Sequence, residues 1–403
     1  MSSTATHVIV GASLAGAKAA ETLRAEGFDG RVVLIGAETH PPYERPPLSK
    51  QVLRGEADPR SALVHEEGFY ADHDIELHLG TRVAGIDPGA RTVSTTLGDI
   101  GYDRLLLTTG SRARRLRLPG SDLPGVHYLR DLDDLASLQV ALASASRVAV
   151  VGAGWIGSEV AASARQTGHD VTLLDLADTP LQAVVGNEIG QVFARLHADH
   201  GVRLRLGTAI EGFVGGDRVT GVRTGREVVD ADLVVVGVGA IPRTELAQAA
   251  GLAVDNGVCV DEYLRTGADG VFAAGDVAAV WNEPRQRRFR VEHWANALHQ
   301  GEAAARSMLG AGTPYRNVPF FFSDQYDLGL EYCGYPVPWD RVVVRGDQDA
   351  REFIAFWLAG DHVVAAMNVN TWDVNERLQE LVAERRPVDD ARLADPETAL
   401  EKL

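Results

Sequence analysis

The sequence predicts an α/β protein made of two Rossmann-like nucleotide-binding domains followed by a C-terminal α+β domain. Three observations predict it. Residues 148–161, VAVVGAGWIGSEVA, carry an apolar strand into Gly152, Gly154 and Gly157 at the spacing GxGxxG and on into a helix-forming segment. That is the strand, turn and helix start of a dinucleotide-binding unit. Residues 7–20, HVIVGASLAGAKAA, repeat it: setting Gly11 on Gly152 also brings Gly16 onto Gly157, Ala20 onto Ala161 and Gly27 onto Gly168. From residue 319 the chain changes character, with apolar stretches at 342–344, 353–357 and 363–367, a helical pattern at 374–384 and no glycine-rich nucleotide turn.

The bulk properties agree with this class and narrow the partners. A chain of 403 residues is long for one core and suggests two or three domains. A formal charge of −17 disfavours nucleic acid and anionic membrane surfaces, which need clustered basic residues. No apolar run approaches the ~20 residues of a membrane helix, and the N-terminus shows no signal-peptide pattern, so a cytoplasmic protein is expected. Cys259 and Cys333 stand 74 residues apart in no CxxC arrangement, so neither a redox-active disulfide nor a metal site is expected.

In the first unit Ser13 replaces the middle glycine, and the strand at 32–35 ends at Gly36, so the nearest acid able to reach a ribose is Glu38. Residues 41–50, PPYERPPLSK, are too proline-rich for regular structure. A stiff loop holds a charged group at little entropy cost, which makes Arg45 and Lys50 candidates, although either alone reads as a solvated charge. The buried-type strand in 102–110 ends at Thr109 and Gly110, where backbone can approach a ligand.

A Pro/Gly connector at 118–125, the segment YLRDLDD at 128–134 and a helix lead into the second unit. There Gly152 makes the turn, Gly154 admits the pyrophosphate and Gly157 lets helix and strand pack. Asp175 ends the next apolar run, 23 residues after Gly152, where a carboxylate can bond ribose hydroxyls. Residues 218–229 read as short strands, and 232–239 as a buried strand ending in Gly239. In 266–277, TGADGVFAAGDV, Asp276 follows a short strand, either as a helix N-cap or as a group approaching a polyol. Residues 292–301, EHWANALHQG, open a helix.

Together these segments resemble the FAD-dependent, NADH-using ferredoxin reductases of bacterial oxygenase systems, within the pyridine nucleotide-disulfide oxidoreductases. RPPLSK (45–50), TTGSRAR (108–114), GAGWIGSEVA (152–161), AAGDV (273–277), EHWANALHQG (292–301) and SDQYD (323–327) occur in the family's order over nearly the whole length. The resemblance implies a glutathione-reductase-like fold with an FAD domain over 1–112 and 239–316, an NADH domain over 113–238 and a C-terminal domain over 317–403. It implies FAD contacts from Gly11, Ser13, Leu14, Ala15, Gly16, Glu38, Arg45, Lys50, Val83, Thr109, Gly110, Arg130, Asp276, Val277 and Trp294. It implies NADH contacts from Gly152, Gly154, Ile156, Gly157, Glu159, Asp175 and Gly239. His293 and His299 gain no role from it.

The activity so implied is electron transfer from NADH through FAD to a [2Fe–2S] ferredoxin, one electron at a time, in the service of a cytochrome P450 or a ring-hydroxylating oxygenase. Lys50 would stabilise the negative charge of reduced flavin, and Glu159 would pair with Lys50 and orient the nicotinamide carboxamide. Related activities are a rubredoxin or monodehydroascorbate reductase, an NADH oxidase, or a redox sensor resembling apoptosis-inducing factor. An acidic ferredoxin would dock near Arg285, Arg287, Arg288, Arg290 and Phe322, and the protein would be a monomer or homodimer. Two departures from the family pattern bear on this: Phe320, Phe321 and Phe322 stand where relatives are tryptophan-rich, and Ala183 where they usually carry arginine.

Overall fold

The computed structural model describes residues 5–225 and 227–403. The chain divides into two compact units, one running to Glu44 and including Arg60–Arg112 and Ile241–Pro319, the other made of Arg45–Pro59, Ala113–Ala240 and Phe320–Leu403. Residues 1–4, at the N-terminus where no signal-peptide pattern is expected, and Arg226, within the strand-rich 218–229 segment, lie outside the described residues.

The first unit is built on a five-stranded parallel sheet in the order Val271–Ala273, Arg104–Leu107, Thr6–Val10, Arg31–Ile35 and Ile75–His78. Its central strands are apolar along their length and buried on both faces, as parallel strands covered by helices must be. The helix Leu14–Ala25 leaves the first strand and meets the helix Trp294–Met308 at close range. A methyl group added at Gly301 would fall 2.4 Å from the Ala15 carbonyl oxygen, so only glycine permits this approach. An antiparallel ribbon of Val83–Asp87, Thr92–Thr95 and Gly98–Gly101 completes the segment that carries Val83.

The second unit repeats the plan with a parallel sheet in the order Arg203–Arg205, Asp170–Leu174, Arg147–Val151, Leu233–Val236 and Val126–His127. The helix Trp155–Gln166 follows the Arg147–Val151 strand. A separate antiparallel sheet, ordered Phe320–Gln325, Leu328–Gly334, His362–Val369, Glu352–Ala359 and Arg341–Asp347, carries the helix Asn375–Glu384. The expected α/β class with an appended α+β region is therefore the observed one.

Three local readings are refined. The proline-rich stretch contains one 3₁₀ turn, Pro46–Ser49, because a proline in a helix's first turn gives up an N–H that would be unpaired anyway. The helix expected from residue 292 begins at Trp294. The long helix Gln182–Asp199, which sequence reading did not delineate, packs Val185, Ile189, Val192, Phe193 and Leu196 against Phe353, Trp357 and Met367. Among the described residues no helix is long and apolar enough to cross a membrane.

Candidate cofactor and electron-transfer site

The two glycine turns share one geometry. A methyl added at Gly11 would fall 2.1 Å from the Thr108 carbonyl oxygen, and one at Gly16 2.1 Å from the Gly11 carbonyl oxygen. In the second unit the same additions at Gly152 and Gly157 would fall 2.4 Å from the Gly237 oxygen and 1.8 Å from the Gly152 oxygen. Gly11 and Gly152 also hold φ of 123° and 99°, a region that favours glycine. Gly154 differs: nothing lies within 4 Å of where its methyl would be, so the packing of the fold does not require its smallness. The helices that follow, Leu14–Ala25 and Trp155–Gln166, have no side-chain N-cap and no acid in the first turn. Their leading N–H groups thus suit an anionic pyrophosphate, and the residues present fit a dinucleotide in each unit.

Asp175 lies directly behind the second turn. Its Oδ2 accepts from Ala153 N at 2.5 Å and its Oδ1 from Ala177 N at 2.7 Å. The carboxylate is thereby locked in place with lone pairs left for ribose hydroxyls. Leu176 after it is exposed. Leu181 N donates to the Ala153 oxygen at 2.8 Å, which ties the start of the Gln182–Asp199 helix to the same turn. Ala183 is exposed on that first turn and Ile156 is half-exposed on the helix after the glycines. Gly239 holds φ of 96° and has open space beside it.

In the first unit Glu38 receives the Tyr43 hydroxyl at 2.5 Å. Thr109 Oγ1 donates to the Arg243 carbonyl at 2.7 Å, and Gly110 holds φ of 65°. Asp276 and Val277 form a 3₁₀ turn, Gly275–Val277, whose Gly275 N–H is taken by buried Gln300 at 2.9 Å. Trp294 opens its helix, and Val83 is buried in the antiparallel ribbon. Arg45 and Arg130 belong to the second unit, where the Arg45 guanidinium donates to the Arg130 carbonyl.

Lys50 and Glu159, 109 residues apart, form a buried ion pair with Nζ 2.8 Å from Oε2 and side chains 7% and 5% exposed. Desolvating two charges is costly unless further hydrogen bonds complete them, and here they do. Lys50 Nζ also donates to the Pro46 carbonyl at 3.2 Å. The Ser49 hydroxyl donates to Glu159 Oε2, and the Ser323 hydroxyl donates to Oε1 at 2.7 Å. The proline stretch is held down by Ser163 Oγ donating to the Ser49 carbonyl at 2.7 Å and by Gln139 Nε2 donating to the Val52 carbonyl at 2.7 Å. Ser163 lies one helical turn after Glu159, so one face of Trp155–Gln166 fixes both the carboxylate and the loop that brings the ammonium. The Phe322 ring centroid is 5.7 Å from Lys50 Nζ, within cation–π range.

The sequence gives no site role to Ser49 or Ser323, although Ser49 lies inside the RPPLSK motif and Ser323 opens SDQYD. Among the expected docking arginines, Arg287 and Arg288 are exposed and Arg285 is half-buried. Arg290 turns inward and pairs with Glu292 at 2.5 Å, so its charge is compensated locally. Both cysteines are free thiols, and burial pushes the Cys333 thiol far above its ordinary range.

The family model for pyridine nucleotide-disulphide oxidoreductases matches residues 5–301, and that for the reductase C-terminal domain matches 320–403. Rhodocoxin reductase of Rhodococcus erythropolis is 40% identical over 391 residues, covering 96% of this chain and 92% of its own. The ferredoxin–NAD(+) reductase component of the anthranilate 1,2-dioxygenase system of Burkholderia cepacia is 41% identical over 398 residues, covering 98% of each chain. The crystal structure of the ferredoxin reductase for the CYP199A2 system of Rhodopseudomonas palustris superimposes with a TM-score of 0.95 at 37% identity, covering 98% of this chain and 99% of the other.

Proposed function

The chain belongs to the pyridine nucleotide-disulphide oxidoreductases, and from that membership we propose that Lys50 and Glu159 are the working residues of an NADH-dependent, FAD-containing ferredoxin reductase. The observation that carries the reading is the buried Lys50–Glu159 pair, completed by two serine hydroxyls, in a chain with two dinucleotide turns. Bound FAD supplies the conversion of a two-electron hydride donor into a source of single electrons. The protein's residues do the rest by position and charge.

Gly11, Ser13, Leu14, Ala15 and Gly16, with Glu38, Val83, Thr109, Gly110, Asp276, Val277 and Trp294, hold the flavin nucleotide, and Arg45 and Arg130 in the other unit are separate candidate contacts for it. Gly152, Gly154, Ile156, Gly157, Asp175 and Gly239 hold NADH. Lys50 offers a fixed ammonium to the negative charge of reduced flavin. Glu159 keeps that ammonium in place and accepts from the nicotinamide carboxamide, which sets the face of the ring.

Replacing Lys50 with Met is expected to slow flavin bleaching by NADH in stopped-flow absorbance by on the order of 100-fold. An unchanged rate, with bound-flavin absorbance retained, removes Lys50 from the mechanism. NADH is preferred to NADPH, because the Asp175 carboxylate repels a 2′-phosphate and Leu176, Ala177 and Asp178 offer no arginine to receive one. Comparable kcat/KM values for the two coenzymes overturn this. The electron acceptor is a cytoplasmic [2Fe–2S] ferredoxin that serves a P450 or ring-hydroxylating oxygenase. Arg285, Arg287 and Arg288 in one unit and Phe322 in the other are separate candidate contacts for it, on a reductase that is a monomer or homodimer.

A further inference from the structure

Glu159 stands at one end of a line of buried polar side chains that cofactor binding does not explain. Ser323, whose hydroxyl donates to Glu159 Oε1 at 2.7 Å, is backed by Gln325, with Nε2 3.4 Å from Ser323 Oγ. The two share one face of the Phe320–Gln325 strand, two residues apart. The Gln325 side chain also faces His197 on the Gln182–Asp199 helix closely enough to act on its protonation. Gln325 Oε1 and His197 Nε2 are buried, and neither has a hydrogen-bond partner among the described residues. On the imidazole's far side Nδ1 lies 3.2 Å from the Tyr326 hydroxyl, and the Tyr326 ring stacks on His200 at 3.8 Å. Ser323, Gln325 and His197 are at most 1% exposed.

The line has a direction. Burial, with His200 nearby, lowers His197 to about 4, so near neutral pH its ring is uncharged, with one nitrogen accepting and the other donating. Along the strand Gln325 donates to Ser323, and Ser323 donates to Glu159. Burying such groups gains little net stability over apolar residues of the same shape, whereas the hydrogen bonds they make to one another select one arrangement of the donors and acceptors.

We propose that Ser323 and Gln325 are positioning residues of the reductase, holding the Glu159 carboxylate in the rotamer that meets both Lys50 and the nicotinamide. The proposal rests on the reading of Lys50 and Glu159 given above. It is tested by titrating the flavin holoenzyme with NADH in stopped-flow absorbance, reading the limiting rate of flavin bleaching, the Kd for NADH and the long-wavelength absorbance of nicotinamide stacked on flavin.

Ser323→Ala is expected to lower the limiting rate about tenfold and to diminish the stacking absorbance, with Kd changed less than about twofold. Ser323→Thr, which keeps the hydroxyl, restores both, and Gln325→Met gives the Ser323→Ala signature at smaller size. In a Glu159→Gln background Ser323→Ala adds no further loss, since the two act as a unit. A full Ser323→Ala effect in that background, or Ser323→Ala and Gln325→Met variants that melt normally and retain wild-type rate and absorbance, overturns the proposal. If Glu159→Gln itself changes nothing, the underlying reading of Glu159 fails instead, and the two failures are told apart.

Discussion

The same residue type does different work at positions only a few residues apart. A methyl at Gly157 would sit 1.8 Å from the Gly152 carbonyl oxygen, while at Gly154 it would meet nothing within 4 Å. Gly157→Ala is therefore expected to misfold or strongly destabilise the second unit. Gly154→Ala should melt like the wild type yet bind NADH roughly tenfold more weakly, a change of about 1.4 kcal/mol. Thermal melting alongside an NADH titration checks the pair, and equal affinity in Gly154→Ala would show that the open space is not where pyrophosphate lies. The turn residues were legible in the sequence because GxGxxG encodes local backbone demands. Ser49 and Ser323 were not, because what makes them matter is a carboxylate 110 and 164 residues away.

At the scale of elements, the helix Gln182–Asp199 is bent where Gly186 takes φ 76° and ψ 177°. Two tryptophans of the C-terminal region brace the bend. Trp339 fills the space beside Gly186, where a methyl would fall 2.6 Å from its ring, and Trp357 Nε1 donates to the Val185 carbonyl at 3.1 Å. That carbonyl sits at the bend, and the indole N–H supplies it with a buried donor. Gly186→Ala adds left-handed strain to a clash with an indole and is expected to cost about 2 kcal/mol or more, measured as a lower urea midpoint. Bleaching by NADH at saturation should change little, since Lys50 and Glu159 lie on other elements. In the sequence this region stands out only through Ala183, a departure from the family's pattern. The apolar spacing of Val185, Ile189, Val192, Phe193 and Leu196 was there to find, and His197 beside it is a polar residue on a buried stripe that could have signalled the buried contact with Tyr326.

Across the whole molecule, buried neutral histidines set the acid limit. Burial lowers His7 and His197 to about 4 each from an ordinary 6.5, with Arg104 also acting on His7. Between those values the unfolded chain binds protons that the native chain does not, so stability falls as pH drops from about 6.5 to about 4 and this contribution levels off below. Each histidine contributes up to roughly 3 kcal/mol across that window. His7→Phe, which keeps the stack on Phe28 at 4.0 Å in the native residue's place, should flatten the urea midpoint against pH in that interval. A slope equal to wild type would refute the assignment. The Arg147 hydrogen bond holds Asp232 down at about 2, so its contribution is lost in a separate window, from its ordinary 3.8 towards 2.

The sequence by itself determined the two dinucleotide turns, the carboxylate behind the second, the α/β class and the family. Each of these is written in contiguous residues whose backbone requirements are local: a glycine where φ must be positive, an apolar strand before it, an acid at the next strand's end. Beyond the Lys50 pairing that the family resemblance implies, tertiary structure alone decided what Glu159 touches. Its four polar neighbours in the site, Lys50, Ser49, Ser323 and, through Ser323, Gln325, come from a proline-rich loop and the first strand of the C-terminal sheet. Which distant side chains meet on one carboxylate is set by how helix, loop and sheet pack, and no short stretch of the chain encodes that meeting.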